Sequence, residues 1–297
     1  MTRISIRSIL HKRFLSANLS ALSPHDAVHV LEDSCMADAL SIMIDKKIGS
    51  LLVFDNTKSL SGIFTERDII TKLPPEPADC LKLPIKKFMS SPVITLGPKS
   101  GISRAIYEMV VGDFRHIVIY PANDNKYKII SARDIVNNIY SHISKSFVTE
   151  GTNFVDDTKV DEFLAGSLSG VALNKIVLVQ PDAPIAEAVN AMKVNKVGCV
   201  LVAKDISSPR GIFTERDFLE KIACKSLPLS TFKLIDVMTI TPETMFLNST
   251  IAHAFERICE AGFRHIPVVN TDESLIGILS IRSILKALAD NILADLS

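Results

Sequence analysis

Three short segments share the pattern Thr/Ser-x-Arg-Asp, whose side chains can bind hydroxyl and phosphate groups. They begin at Thr65, Ser131 and Thr214. An aspartate offers two acceptor oxygens to neighbouring hydroxyls, and an arginine pairs with phosphate oxygens through a planar fork. The Thr or Ser stands at a predicted helix start, where backbone N–H groups and the helix dipole favour an anion. The same pattern is also typical of a helix-capping box, so a purely structural role is the alternative.

A second feature is an Arg-His pair that follows a phenylalanine. It occurs as Arg115-His116 and again as Arg264-His265. Each pair supplies a cation and a titratable ring, and a histidine with its ordinary pKa of about 6.5 would add pH sensitivity. The alternative is that these side chains only form hydrogen bonds between neighbouring units.

These motifs lie on a tandem duplication. The heptapeptide Gly-Ile-Phe-Thr-Glu-Arg-Asp occurs twice, letter for letter, at an offset of 149 residues, and the same offset relates the two Arg-His pairs. Within each half, an offset of 66 residues relates Asp68 to Asp134. The chain therefore holds four copies in the order ABAB. The two A copies carry Gly49 and Gly198 where the B copies carry an arginine.

Each copy has the hydrophobic pattern of a β-α-β-β-α unit. A short apolar strand precedes a helix whose apolar residues fall at i, i+1 and i+4, as in Ala39, Leu40 and Met43. Apolar runs such as 51–54 and 275–279 are too short for helices and predict buried strands. The last helix begins at the Thr or Ser of the motif. Because a unit of about 60 residues buries little core alone, we expect the copies to pair.

The expected fold class is therefore α/β (α+β), built from four such repeats. The Pro-rich stretch 73–77 and the polar stretch 150–159 predict linkers. The predicted organisation is an N-terminal segment (1–21), repeat 1 (22–74), repeat 2 (88–141), an inter-module linker (150–168), repeat 3 (170–224) and repeat 4 (236–291).

Composition argues against several functional classes. The 297 residues include 33 Lys+Arg and 33 Asp+Glu, and this zero net charge weakens the case for nucleic-acid binding. No apolar run reaches the roughly 18 residues of a membrane helix. His25 and His29 lack a third ligand, and the five cysteines form no Cys-x-x-Cys pair, so we expect no metal site. Without a catalytic nucleophile or an acid–base constellation, we predict that the chain is not an enzyme.

The four copies resemble the CBS domain family, named after cystathionine β-synthase, in which two repeats form a Bateman module. The resemblance rests on Gly-apolar-x-Thr/Ser-x-x-Asp at the join of the last strand and helix, and on the Gly or Arg-His entry to the middle strand. It extends from about Leu22 to Leu288. It implies two tandem Bateman modules that bind adenosyl ligands in clefts between paired repeats. These ligands are AMP, ADP, ATP or S-adenosylmethionine.

The resemblance assigns ligand binding to the positions that match these motifs. Repeat 4 departs from the pattern because Ser283 stands where an aspartate is expected, so we rank its site as the weakest or empty. Repeat 2 has Lys128 in place of the leading glycine. The expected ligand-binding residues are Thr65, Arg67, Asp68, Arg115, His116, Ser131, Arg133, Asp134, Thr214, Arg216, Asp217, Arg264, His265, Ser280 and Arg282.

The expected function is that of a regulatory, energy-sensing protein. A bound adenosyl ligand would act as a regulator and not as a catalytic cofactor, and would shift the repeats in a way that an unknown regulated protein detects. The γ subunit of AMP-activated kinase, with four CBS repeats, is the nearest functional analogy. The alternatives are an interaction scaffold with vestigial clefts and, less favoured, an RNA-binding module. Four repeats are compatible with a monomer or a homodimer.

The N-terminal sequence is compatible with two subcellular locations. Residues 1–25 contain no acidic side chain but carry Arg3, Arg7, Lys12 and Arg13, a pattern that resembles a mitochondrial presequence. Leu19-Ser20, however, recurs 149 residues later, which favours a segment that belongs to the fold. The cytoplasm is the expected location, since the scattered cysteines suit a reducing compartment, and the mitochondrion is the alternative.

Overall fold

Four copies of one β-α-β-β-α unit build the protein, as the sequence predicts. A computed structural model describes residues 17–74, 80–121, 126–149, 163–205, 209–224, 229–230 and 232–290, with side chains of the helix at 132–149 described up to residue 141. Residues 75–77 and 150–159 of the predicted linkers, and residues 1–16 of the N-terminal segment, lie outside these ranges. None of the helices in the described ranges is long and apolar enough to cross a lipid bilayer.

The first half contains a short leading strand and two repeats. The elements are β1 (His25–Asp26); then β2 (His29–Leu31), α1 (Met36–Asp45), β3 (Ser50–Phe54), β4 (Leu60–Thr65) and α2 (Glu66–Lys72) of repeat 1; then β5 (Thr95–Leu96), α3 (Ile102–Val111), β6 (His116–Ile119), β7 (Lys128–Ser131) and α4 (Ala132–Thr149) of repeat 2.

The second half follows the same order. The helix at Glu215–Phe218 is extended by a π-helical turn at Leu219–Ala223. The elements are β8 (Leu178–Val179), α5 (Ile185–Asn195), β9 (Cys199–Val202), β10 (Gly211–Thr214) and α6 (Glu215–Phe218) of repeat 3; the connecting strand β11 (Thr239–Ile240); then β12 (Met245–Phe246), α7 (Ile251–Glu260), β13 (His265–Val269), β14 (Leu275–Ser280) and α8 (Ile281–Leu288) of repeat 4.

Each repeat forms a small sheet with the same strand pairing. Its first and middle strands are parallel and its middle and last strands antiparallel. A segment from outside the repeat then adds to the last strand. Strand β1 pairs with β7 and β11 with β10, and single bridges replace these strands in the other two repeats. The sequence pattern did not predict this fourth, borrowed partner.

Packing follows repeat type and not chain order. One large apolar cluster joins repeats 1 and 3, and a second joins repeats 2 and 4. Helix faces predicted as core, including Ala39, Met43 and Met192, are at most 1 % exposed. Within each half the contacts are smaller. A cluster that includes Leu201 and Leu275 lies between the sheets of repeats 3 and 4, and the rings of Phe54 and Tyr127 meet at 5.4 Å between repeats 1 and 2.

Leu19, in the segment that precedes repeat 1, is fully buried in the cluster shared by repeats 2 and 4. We expect Leu19→Ala to lower the free energy of unfolding by about 2–5 kcal/mol, because it removes buried methyl groups and leaves a cavity. Leu31→Ala is the matched control, since Leu31 is 48 % exposed, and should cost under about 1 kcal/mol. Urea unfolding measures the free energy of unfolding of both variants. Equal losses would contradict the conclusion that the segment before repeat 1 is part of the folded core.

Candidate functional site

The Thr/Ser-x-Arg-Asp motifs form helix caps in all three repeats that carry them. In repeat 1 the Thr65 hydroxyl accepts the Asp68 N–H at 3.3 Å, and Asp68 Oδ2 accepts the Thr65 N–H at 2.8 Å. Thr214 and Asp217 form the same box at α6, and Ser131 and Asp134 make the equivalent contacts at α4. The structural alternative is thus confirmed for the hydroxyl and for Oδ2 of each aspartate. The second carboxylate oxygen of each aspartate, Oδ1, takes no part in the cap.

The basic motif residues converge on one central cavity of about 700 Å³, which is lined by all four repeats. Thr214 and Asp217 lie outside its lining. The expected ligand-binding residues that do line it are Thr65, Arg67, Asp68, Arg115, His116, Ser131, Arg133, Asp134, Arg216, Arg264, His265, Ser280 and Arg282. Ligand binding by these residues stays a prediction.

Two buried glutamates pair with the arginines of this cavity, and neither is among the ligand-binding residues expected from the sequence. Glu66 is 4 % and Glu215 2 % exposed. Glu215 accepts from Arg115 and lies 3.5 Å from Nε of Arg67. The duplicated half repeats the arrangement: Arg216 Nε lies 2.9 Å from Glu66 Oε1, and Arg264 donates to Glu66. Each carboxylate therefore pairs with two guanidinium groups, both from other repeats.

The A-type repeats have a glycine where the B-type repeats have an arginine, and in repeat 3 this difference has a steric cause. A Cβ atom added to Gly198 would lie 2.6 Å from Nη2 of Arg115 and 2.9 Å from Nε2 of His265. A side chain at this position of repeat 3 would therefore displace Arg115 or His265, whereas the nearest atoms to a Cβ added at Gly49 belong to Glu66, at 3.3 Å or more. The identical glutamates at the second motif position were the available sequence signal. They were overlooked because exposed glutamates are common in the first turn of a helix.

A further pair of equivalent positions has diverged between the halves. Asp113 pairs with Arg67 at 3.0 Å and also with Arg282. Its counterpart 149 residues later is Gly262, whose carbonyl accepts from Arg133. Both backbones are left-handed, with φ of 58° and 74°, a conformation open to Asp and Gly. One half of the cavity therefore has an extra carboxylate that the other half lacks.

His116 and His265 border the cavity but are enclosed by protein. Burial, reinforced by the nearby positive charges of Arg264 and Arg115, lowers the pKa of His116 to about 4. The same causes lower the pKa of His265 well below its ordinary value. Both rings are neutral near pH 7, so the expectation of a histidine switch near neutral pH is wrong. The physical reason is that the packed repeats bury both rings and place arginine charges near them, and both effects disfavour protonation.

The fourth copy is built differently, as its sequence predicts. Ser283 replaces the aspartate, and its hydroxyl lies 3.1 Å from that of Ser280. The amide of Asn174 donates to Ser280 Oγ at 2.9 Å and to Ser283 Oγ at 3.3 Å. The neutral side chains of Asn174, Ser280 and Ser283 thus form hydrogen bonds with one another at the place where the other repeats have a carboxylate.

Removing one buried glutamate should strongly destabilise the assembly. Glu215→Gln leaves Arg67 and Arg115 without their shared anion, and breaking a buried ion pair from one side costs about 3–5 kcal/mol. Glu220→Gln is the control, because Glu220 is 45 % exposed and pairs with Arg216 at the surface. Its loss should cost at most about 1 kcal/mol. Similar melting temperatures for the two variants would refute the central role of Glu215.

The lowered histidine pKa values make stability depend on pH. The unfolded chain binds a proton at about pH 6.5, whereas folded His116 does so only at about pH 4, so this part of the stability is lost as the pH falls through that window. His116→Gln should flatten the decline in urea midpoint between about pH 7 and about pH 4.5. Exposed His253→Gln controls for the loss of a histidine. A His116→Gln profile parallel to the wild-type profile would contradict the assignment.

The comparisons with known proteins agree with this geometry. The family model of the CBS domain matches residues 20–75, 85–141, 168–224 and 234–290, which together make up most of the chain. The Arabidopsis thaliana CBS domain-containing protein CBSCBSPB1 is 25 % identical over 280 residues, covering 86 % of this chain and 50 % of that protein. The chain thus spans about half the length of the curated relatives it matches.

Two solved structures resemble the chain to different extents. Methanocaldococcus jannaschii MJ1225, described as a candidate archaeal homologue of γ-AMPK, has a TM-score of 0.73 at 16 % identity and covers 92 % of this chain and 100 % of its own. Pyrobaculum aerophilum PAE2072, complexed with AMP, is 26 % identical, covers 44 % of this chain and 97 % of its own, and has a TM-score of 0.38. Four repeat motifs, four sheets of one topology and four matched segments place the chain in the CBS domain family.

Proposed function

We propose that the chain is a non-catalytic regulatory protein that binds an adenine nucleotide in its central cavity and signals occupancy to a protein partner. One observation carries the proposal: arginines from all four repeats converge on one cavity that also contains the Asp134 carboxylate. Its volume of about 700 Å³ lies within the range of small-molecule sites. The adenosyl class follows from membership in the CBS domain family.

The charge of the cavity favours nucleotides over S-adenosylmethionine. Guanidinium groups form strong, often bidentate pairs with phosphate oxygens. S-adenosylmethionine has a cationic sulfonium where a nucleotide has its phosphate, so the same arginines repel it. We therefore rank AMP, ADP and ATP above S-adenosylmethionine, with uncharged adenosine between them.

The ion pairs offer a route from binding to signalling. Arg264 and Arg216 hold Glu66 of repeat 1, although they belong to repeats 4 and 3. A phosphate that pairs with these arginines competes with the glutamate that joins the two halves. Occupancy would thereby change the relative stability of two arrangements of the modules, and a partner that contacts both modules would detect the change.

The proposal is tested by a melting-temperature panel with AMP, ADP, ATP, adenosine and S-adenosylmethionine. A nucleotide at about 100 times its Kd should add about 2.7 kcal/mol and raise the melting temperature by a few degrees. Arg264→Met should reduce the shift caused by nucleotides more than the shift caused by adenosine, because adenosine has no phosphate for Arg264 to contact. Arg104→Met is the control, since Arg104 is 60 % exposed and pairs with Glu108 on α3.

The outcomes separate the candidate functions. A panel without any shift, confirmed by calorimetry, would refute nucleotide sensing and favour the interaction scaffold. A larger shift for S-adenosylmethionine than for AMP would refute the role given to the arginines. A nucleotide shift that Arg264→Met and Arg104→Met reduce equally would place the phosphate outside the central cavity.

A further inference from the structure

We call the last position of each Thr/Ser-x-Arg-Asp motif, together with its equivalent Ser283 in repeat 4, the clamp of its repeat. The surroundings of the four clamps can be compared residue by residue because the repeats share one topology. Ile63, Ile129, Ile212 and Ile278 occupy equivalent places in the last strands. Their cross-strand partners are Ser90, His25, Thr239 and Asn174 in repeats 1 to 4. Each partner therefore stands beside the clamp of its repeat. The capping box already uses Oδ2 of each aspartate, so the surroundings of Oδ1 decide whether a ribose can be held.

In repeats 1 and 3 the chain itself occupies Oδ1. Lys72 Nζ lies 2.7 Å from Asp68 Oδ1, and the Ser90 hydroxyl donates to the same oxygen at 2.6 Å. Lys221 Nζ lies 2.6 Å from Asp217 Oδ1. Thr239 donates to that oxygen at 3.1 Å. The side chains of the two aspartates are only 6 % and 10 % exposed. An internal cation and an internal hydroxyl thus take the place of the ribose hydroxyls at both sites.

Repeat 2 leaves its clamp open. The residue one helical turn after Asp134 is Asn138, so this position has no lysine. Among the described residues, the group beside Asp134 Oδ1 is the ring of His25 at 3.8 Å, beyond hydrogen-bond distance. That ring is 73 % exposed and the Asp134 side chain 28 %. Repeat 4, with Ser283, offers no carboxylate. Asp134 is therefore the clamp whose second oxygen is accessible.

The adjacent arginine, Arg133, is also the one motif arginine that has no carboxylate partner among the residues that the structure describes. Its equivalent in repeat 4, Arg282, pairs with Asp113. Arg133 instead donates to the carbonyl of Gly262, and its buried Nε has no hydrogen-bond partner within the described part of the chain. Burial and the positive charges of Arg264 and Arg216 lower the pKa of Arg133. A phosphate would supply the missing anion and the missing acceptor together.

We propose that the chain binds one nucleotide, in repeat 2, with Asp134 holding the ribose and Arg133 the phosphate, while Lys72 and Lys221 close the equivalent clamps of repeats 1 and 3. This inference rests on the proposed function and assigns its site. It is narrower than the sequence-based expectation, which left sites open in repeats 1, 2 and 3 and ranked that of repeat 4 as the weakest or empty, because repeats 1 and 3 have also covered the ribose acceptor. The aspartates of the two identical heptapeptides would thus be bonded within the chain, and repeat 2, whose motif has a different sequence, would hold the ligand.

Titration calorimetry with AMP tests the inference. The wild-type chain should bind about one AMP per chain. Asp134→Asn keeps an oxygen for the cap but exchanges the ribose acceptor for a donor, and should weaken AMP at least about tenfold. Asp68→Asn and Asp217→Asn make the same chemical change in the closed clamps and should leave the affinity within about twofold of the wild-type value.

The lysines are tested by removing them. Lys72→Met with Lys221→Met removes the internal cation from Oδ1 of Asp68 and of Asp217. Only the Ser90 and Thr239 hydroxyls, which can rotate away, then remain beside these oxygens, so the stoichiometry should rise above one AMP per chain. Circular dichroism and the melting temperature establish that this variant and Asp134→Asn are folded. If Asp134→Asn does not fold, Arg133→Met probes the same site, and should weaken AMP at least about tenfold while leaving adenosine unchanged.

Failure of this inference is distinguishable from failure of the proposed function. Wild-type protein that binds none of the panel nucleotides refutes both. Binding of two or more AMP molecules per chain, or wild-type affinity in Asp134→Asn, overturns the single site and leaves nucleotide sensing standing. A stoichiometry that stays at one in the double lysine variant overturns the role of the lysines.

Discussion

The placement of two carboxylates, Glu66 and Glu215, constrains the rest of this structure. Moving a carboxylate out of water costs several kcal/mol, and only well-placed partners offset that cost. Each glutamate meets two arginines, and every one of these arginines comes from another repeat. The network therefore forms only when all four repeats are assembled. Because its guanidinium groups line the cavity, folding and the proposed nucleotide binding would depend on the same side chains.

Duplication made the halves alike, and a few single-residue changes made them chemically different. Asp113 neutralises one side of the cavity where Gly262 leaves the other side without a carboxylate. Lysines cover the clamps of repeats 1 and 3 alike, whereas Ser283 of repeat 4 replaces the aspartate that repeat 2 keeps as Asp134. Asp113 and Gly262 share a left-handed backbone conformation, and Ser283 lies in the first turn of α8, as Asp134 does in α4. A symmetric scaffold can therefore carry an asymmetric site.

The candidate site was only partly predictable. Residue types and the repeat offsets located the capping motifs and the Arg-His pairs, and most of these residues do line one cavity. The partners of the arginines could not be predicted, because Arg115 reaches a glutamate 100 residues away and Arg264 one 198 residues away. The prediction that the histidines titrate near neutral pH failed for the same reason. It used the ordinary pKa of an isolated ring, whereas the packed repeats bury each ring and place arginine charges near it.

The sequence by itself determined the repeat unit, its β-α-β-β-α order and the face that each helix buries. Those properties are local: hydrophobic periodicity and capping residues act within about one repeat length. Tertiary structure alone decided which repeats pack together, where strands β1 and β11 pair, and which aspartate keeps an accessible oxygen. Identical heptapeptides cannot carry that information, since an ion pair or a desolvated charge depends on neighbours that only the assembled chain brings together.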